Sequence, residues 1–375
     1  MRRIFVLTGT RADFGKQKRL MRALEADPSF DLLVVVTGMH LLQAYGETVR
    51  EVEAESFTDV RRMPNQIPGE PADLALANTM VGLARLVHED PPDAIVVHGD
   101  RIEALAGATV GALRNIRVVH LEGGELSGTI DGSLRHAITK LAHVHLVAND
   151  ASRDRVIRLG EDPDRVAVVG SPEVDALLAE DLPAPDDVRR WYEIPEGPVG
   201  IAILHPVTTD PAGSRRTAEA LVDALLAVDL PFVVIDPNND EGTAAVRHAY
   251  ERLGSAERFR RLPSMRFESF VTLLREAAVI VGNSSSGVRE APVFGTPSVD
   301  IGTRQRGRAD APTIRNVAAD PDEIVTAVED AVRGGRGEPT RTFGDGGSVG
   351  RALAVLRDER TWSLSLDKGF FEGGG

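Results

Sequence analysis

Ile4-Phe5-Val6-Leu7-Thr8-Gly9-Thr10-Arg11-Ala12-Asp13-Phe14-Gly15-Lys16 gives four apolar residues, a small polar turn and the basic start of a helix. A short apolar run without polar alternation suits a strand buried on both faces, and a glycine turn into a helix is the joint between a parallel strand and its crossover. The pattern recurs. Further strands are expected at Leu32–Val36, Ala94–Val97, Val118–His120, His145–Ala148 and Val166–Val169, with helical composition at Ala72–His88, Glu103–Arg114, Gly132–Ala142 and Ser152–Leu159. Residues 1–184 therefore read as one doubly wound domain.

A second series begins after Ala184-Pro185-Asp186-Asp187, with strands near Val199–Leu204, Phe232–Ile235, Val279–Val281 and Ser298–Ile301 and a helix at Thr217–Ala227. The expectation is an α/β protein of two Rossmann-like parallel-sheet domains, 1–184 and 185–365, with strand ends and helix N-termini around an interdomain cleft. Gly334–Gly350 reads as a loop, Ser348–Arg357 as a last helix and 366–375 as a frayed tail.

The 375 residues, 42% hydrophobic and 27% charged, fit about two globular domains. With 57 acidic against 43 basic residues the formal charge is −14, which disfavours nucleic-acid phosphate and anionic membrane as partners. There is no cysteine, hence no disulfide, thiolate metal site or cysteine nucleophile. No apolar stretch is long enough for a signal peptide or membrane span, so a cytoplasmic location is expected.

The first loop suits a phosphate at a helix N-terminus, with Arg11, Asp13 and Lys16 as candidates, or it is simply a tight strand-to-helix turn. It is not a Walker A loop, because five residues separate Gly9 from Gly15 and Gln17 follows Lys16. No GxGxxG fingerprint occurs, which removes support for an NAD enzyme. His98-Gly99-Asp100-Arg101 and His120-Leu121-Glu122-Gly123-Gly124-Glu125 follow neighbouring strands, so Asp100, Glu122 and Glu125 converge where parallel sheets bind ligands. Crowded carboxylates separate acid from base roles; the bland reading is a helix-capping Asp100 and two solvated glutamates.

Downstream, Asp131 is a candidate N-cap for a helix from which Arg135 and His136 either reach an anion or remain solvated. His143 and His145 have a metal-like spacing that a strand entrance also produces, and no metal is expected. In the second domain His205 ends a strand, and Gly282-Asn283-Ser284-Ser285-Ser286-Gly287-Val288-Arg289-Glu290 reads as a diphosphate cradle at a helix start, or as a serine-rich cap. Gly302–Arg308 gathers three arginines, Arg304 among them, as a phosphate clamp or a solvated loop.

Taken together, TGTRADFGK (Thr8–Lys16), TGMHLLQAYGET (Thr37–Thr48), HGDRIEAL (His98–Leu105), HLEGGELSGTIDGSLRHAITKLAH (His120–His143), HPVTTD (His205–Asp210), GNSSSGVREAPVFGTP (Gly282–Pro297) and GTRQRGR (Gly302–Arg308) resemble the hydrolysing UDP-N-acetylglucosamine 2-epimerases and their diacetylbacillosamine-nucleotide relatives. The resemblance implies a glycosyltransferase-B-like fold closing on a nucleotide sugar, no cofactor, and a homodimer or homotetramer. It implies nucleotide contacts from Ser284, Ser285, Ser286, Gly287, Glu290 and Arg304, Arg11 and His205 near the diphosphate, and Asn238 within a nucleotide-contact segment Pro237–Gly242. It implies catalytic roles for Asp100, Glu122, Asp131 and His205, with Asp13, Lys16, Arg101, Arg135 and His136 toward the substrate and His40 lining the pocket.

The non-hydrolysing members typically read GTRPE and DSGG where this chain has GTRAD and NSSSG. Departures are Phe14 for tyrosine, Leu121 for isoleucine, and the absence of a kinase domain. The implied chemistry is loss of the nucleotide by elimination to 2-acetamidoglucal, then water addition with protonation of C2 from the opposite face, which needs two acid/base groups. Alternatives are a non-hydrolysing 2-epimerase, a glycosyltransferase on the same fold, and a non-catalytic nucleotide-sugar binder.

Overall fold

Strand β1 (Arg2–Thr8) sends Ile4 and Val6 to one buried face of its sheet and Phe5 and Leu7 to the other. Both faces are covered, which is why its sequence is a continuous apolar run. In the computed structural model, which describes residues 1–127, 129–207, 209–238, 242–254 and 257–373, β1 sits inside a seven-stranded parallel sheet. Its companions are β2 (Phe30–Val36), β3 (Val60–Arg62), β4 (Ala94–His98), β5 (Arg117–Leu121), β6 (Val144–Val147) and β7 (Val166–Val168), in the order β3-β2-β1-β4-β5-β6-β7.

The second sheet holds β8 (Gly200–Ile203), β9 (Phe232–Ile235), β10 (Phe259–Leu262), β11 (Val279–Gly282), β12 (Ser298–Ile301) and β13 (Ile314–Val317), all parallel, in the order β10-β9-β8-β11-β12-β13. In each sheet the chain builds outward from its first strand in one direction and then in the other. The reversal points fall between β1 and β4 and between β8 and β11, where open parallel sheets leave a crevice at their carboxyl ends. Crossover helices cover both faces, and each sheet separates two apolar clusters.

Three strands escape the sequence reading: β3, β10 and β13, read as VRR, FRRL and IRNV. All three are edge strands. An edge strand is paired on one side only and half exposed, so arginines and asparagine are tolerated and no apolar run forms.

The division of the chain also differs from the expected one. The first unit comprises Met1–Glu125, Asp131–Leu178 and Thr342–Gly375, and the second Leu126–Ile130 and Ala179–Arg341. The expected last helix does form at Ser348–Arg357, but Ala352 and Leu356 are buried in the first unit's core beside Leu20, Leu24 and Val34. Asp175 fixes its start by accepting from Ser348 N (2.9 Å) and Val349 N (2.8 Å). The tail expected to fray is tied down as far as Phe371, whose N donates to Gly160 O at 2.9 Å, while Lys368 Nζ lies 2.6 Å from Glu161 Oε2. Sequence proximity suggested that this segment belongs with 185–365; an amphipathic helix goes instead to whichever apolar surface lacks a cover.

Candidate active site

At the carboxyl edge of the first sheet, β4 ends on His98, Gly99 turns with φ of 70°, and Asp100 and Arg101 lead into the helix Ile102–Leu113. Next to it β5 ends on Leu121, and Glu122 adopts a left-handed conformation (φ 61°) while only 3% exposed. For a residue with a Cβ that conformation costs about 1 kcal/mol or more, so its surroundings must hold it. Glu122 Oε1 accepts from Ser171 Oγ, and Oε2 lies 3.1 Å from His98 Nε2.

On its other side His98 Nδ1 lies 2.7 Å from Asp13 Oδ1. Burial pushes the His98 pKa down, but the Glu122 charge and the hydrogen bonds to both carboxylates outweigh it and bring it up to about 10. His98 is therefore an imidazolium between two carboxylates at neutral pH. Burial pushes Asp13 up, and it is nevertheless lowered by His98, by Thr8 and by the Gly9 N–H.

Arg135, 1% exposed, comes from the helix Ile130–Leu141 one turn after Asp131, which lies within the first turn and is not the cap the sequence suggested. It pairs with the Asp100 carboxylate, and its Nη1 lies 3.2 Å from Glu125 Oε2 and donates to Glu122 O at 3.3 Å. A buried guanidinium shared among these acceptors compensates carboxylates whose mutual repulsion would otherwise open the rim. The Asp100 side chain keeps 21% of its surface, against 4% for Glu122. Asp131 and His136 are half-buried, and His136 is pushed down by burial and by the Arg135 and Arg155 charges.

Other expected site residues are engaged within the chain. Arg11 Nη2 lies 2.6 Å from Glu51 Oε1, Lys16 Nζ 2.5 Å from Glu173 Oε1, and Arg101 Nε 3.3 Å from Glu103 Oε2. His40, expected to line a pocket, is instead a core histidine with no exposed surface. Its Nε2 meets Thr8 Oγ1 at 3.1 Å and its Nδ1 Thr48 Oγ1 at 2.7 Å, and burial lowers its pKa to about 4. His143 Nδ1 accepts from Val118 N at 3.0 Å, and His145 Nε2 lies 3.0 Å from Glu161 Oε2.

At the reversal point of the second sheet, His205 and Asn283 clasp each other. His205 N donates to Asn283 Oδ1 at 2.7 Å, and Asn283 Nδ2 donates back to His205 O at 2.8 Å. Asn283 O accepts from Arg304 Nη1 (3.2 Å) and Gln305 Nε2 (3.0 Å), and Asn238 N approaches His205 Nδ1 at 3.5 Å. Gly282, at φ 138°, is required here: a Cβ would sit 1.9 Å from Ile203 O. Thr208 and Asn239–Glu241, within two of the motifs quoted, lie outside the described residues.

The serine loop departs from expectation. Ser285–Gly287 is a 3-10 turn of three residues and Ala291–Phe294 one of four, so no α-helix begins here to lend a macrodipole. Pro292 lacks the N–H that a continuing helix needs, and Gly295 (φ 68°) ends the second turn. Any anion here meets hydroxyls and loop N–H groups. Ser284 Oγ accepts from Ser286 N (3.3 Å), and Ser286 Oγ donates to Glu290 Oε1 (3.2 Å), which holds the buried Glu290 against the loop.

Two residues of the first site carried no role in the sequence reading. His98 stands in the quoted motif directly before Gly99-Asp100, and a histidine at a strand end beside two carboxylate loops is the signal that marks it. Ser171 announces itself only as a helix cap before Pro172, accepting from Glu173 N at 3.2 Å.

The family profile described as UDP-N-acetylglucosamine 2-epimerase matches residues 22–357. The chain belongs to that family. Among its members, a UDP-N-acetylglucosamine 2-epimerase of Neisseria meningitidis serogroup B is 41% identical over 375 residues, covering 99% of both chains. A UDP-N,N'-diacetylbacillosamine 2-epimerase (hydrolyzing) of Legionella pneumophila is 32% identical over 98% of this chain and 99% of its own. The crystal structure of a Neisseria meningitidis UDP-GlcNAc 2-epimerase bound to UDP-GlcNAc superimposes with a TM-score of 0.80 at 18% identity, covering 94% of this chain and 99% of that one. The two parallel-sheet Rossmann-like units are thus the fold of this epimerase family.

Proposed function

We propose that the chain is a hydrolysing nucleotide-sugar 2-epimerase that converts UDP-N-acetylglucosamine, or a close relative, to N-acetylmannosamine and UDP. The observation that carries this reading is the pair Asp100 and Glu122 on adjacent strand ends, each facing a buried cation. A nucleoside diphosphate is a good leaving group while the C2 hydrogen is weakly acidic, so C1–O cleavage runs ahead of deprotonation through an oxocarbenium-like state that carboxylates stabilise.

One carboxylate takes the C2 proton as the C1–O electron pair leaves with UDP, giving 2-acetamidoglucal. A second group on the other face of the ring then protonates C2 while water adds to C1, and one proton leaves with the products. Asp100 and Glu122 are assigned to these roles, with Asp131 supporting the cation or the water. His205, Ser284, Ser285, Ser286 and Arg304 receive the diphosphate end.

The hydrolytic outcome is supported by the GTRAD and NSSSG motifs and by the hydrolysing activity for which the Legionella relative is named. A cytoplasmic homo-oligomer fits this reading; among the described residues no helix is long and apolar enough to cross a membrane. The test is proton NMR of the purified protein with UDP-N-acetylglucosamine in D2O, without metal or acceptor. The expected products are free UDP and N-acetylmannosamine deuterated at C2. Deuterated UDP-N-acetylmannosamine without free UDP overturns the hydrolytic assignment, and an inert substrate directs the search to 4-amino sugars or GDP-linked donors.

A further inference from the structure

Glu122 is gripped at both oxygens, and one of the grips is anchored by the far end of the chain. Ser171, fully buried, donates its hydroxyl to Glu122 Oε1. Its own backbone is clamped by residues more than 170 positions later: Ser171 N donates to Phe343 O at 2.7 Å, and Ser348 Oγ donates to Ser171 O at 2.9 Å. The clamp is close-packed, since a Cβ on Gly170 (φ 85°) would stand 2.5 Å from Ser348 Oγ. Asp175, on the helix that Ser171 caps, holds the N-terminus of the returning helix through Ser348 N and Val349 N.

We propose that Ser171 is a positioning residue, and that the returning segment Phe343–Val349 is part of the catalytic apparatus because it sets the Ser171 hydroxyl against Glu122. A carboxylate held by one partner pivots about its last torsion. His98 on Oε2 and Ser171 on Oε1 pull from different sides and remove that freedom. Placement of a reacting group to within a fraction of an ångström governs turnover far more than binding. The inference rests on Glu122 acting as an acid/base group.

The test is a double-mutant cycle on C2 deuterium incorporation from D2O, a readout that does not depend on whether the nucleotide is hydrolysed. Ser171→Ala is expected to lower kcat by about 10- to 100-fold, with UDP affinity unchanged. Ser171→Thr, which keeps the hydroxyl, is expected to recover most of the loss. In a Glu122→Gln background Ser171→Ala is expected to change kcat less than about twofold, because a residue acting through Glu122 has nothing left to position. If Ser171→Ala fails to fold, Ser348→Ala in the same two backgrounds loosens the clamp and is expected to show the same dependence on Glu122. Independent, additive losses overturn the proposal, as does wild-type turnover in Ser171→Ala. Wild-type turnover in Glu122→Gln instead removes the underlying reading of Glu122, so the two failures are distinguishable.

Discussion

A carboxyl buried without a hydrogen-bond partner resists ionisation, and Asp300 on β12 is in that condition. It is 2% exposed, and neither oxygen has a hydrogen-bond partner among the described residues. Burial pushes its pKa up to about 7 against the opposing charges of Arg304 and Arg306. Because the folded value lies above the unfolded 3.8, the protonated form favours folding; that contribution is complete below about pH 4 and gone above about pH 7. Asp300→Asn is therefore expected to raise stability, by up to about 4 kcal/mol at pH 8 and progressively less toward pH 4. Melting temperatures across that range check it; a gain independent of pH would show that the carboxylate is not the unpartnered group described. His98 titrates with the same sign but for a different reason, since its partners Asp13 and Glu122 favour its charged form. Its raised value contributes stability that is fully present below its unfolded 6.5 and lost only as pH rises through about 10.

Among the elements, the helix Ser348–Arg357 shows that chain order and packing order are separate matters. Its composition makes it a helix; its apolar face makes it a missing part of a core formed some 300 residues earlier. Leu356 is fully buried there, and Leu356→Ala is expected to cost about 2–5 kcal/mol, read as a lowered denaturation midpoint. A cost below about 0.5 kcal/mol would mean that the helix is dispensable to the first unit. The serine loop teaches the converse. Its residues supply donors, yet Pro292 and Gly295 break the downstream chain into short turns, so cap chemistry is present without a helix to cap.

For the whole molecule, the composition of the cores separates the two units. Both clusters of the second unit draw only on residues between Val188 and Ala331. The main cluster of the first takes Ala352 and Leu356 from beyond the second. A fragment of residues 179–341 is therefore expected to fold cooperatively on its own, whereas 1–178 is expected to remain loosely packed until 342–375 is supplied. Amide dispersion in NMR spectra of the two fragments checks this. A well-dispersed 1–178 would show that the returning segment only decorates the fold.

The apolar runs, the glycine turns after them and the carboxylates and serines in those turns were determined by local sequence, because burial on both faces of a central strand imposes a composition that can be read without knowing the neighbours. Hence the two doubly wound sheets and the rim loops carrying Asp100, Glu122 and Ser284 were legible. Of the four edge strands only β7 was; β3, β10 and β13 were not, since half-exposed positions accept arginine and asparagine. Nor was the imidazolium of His98, whose charge comes from Asp13 on the helix after β1 and Glu122 at the end of β5, nor the burial of His40. The grip of Ser171 on Glu122 joins residues 49 apart and is fixed by a segment over 170 further on. Contacts of that range depend on where the elements come to rest, and only the tertiary structure decides it.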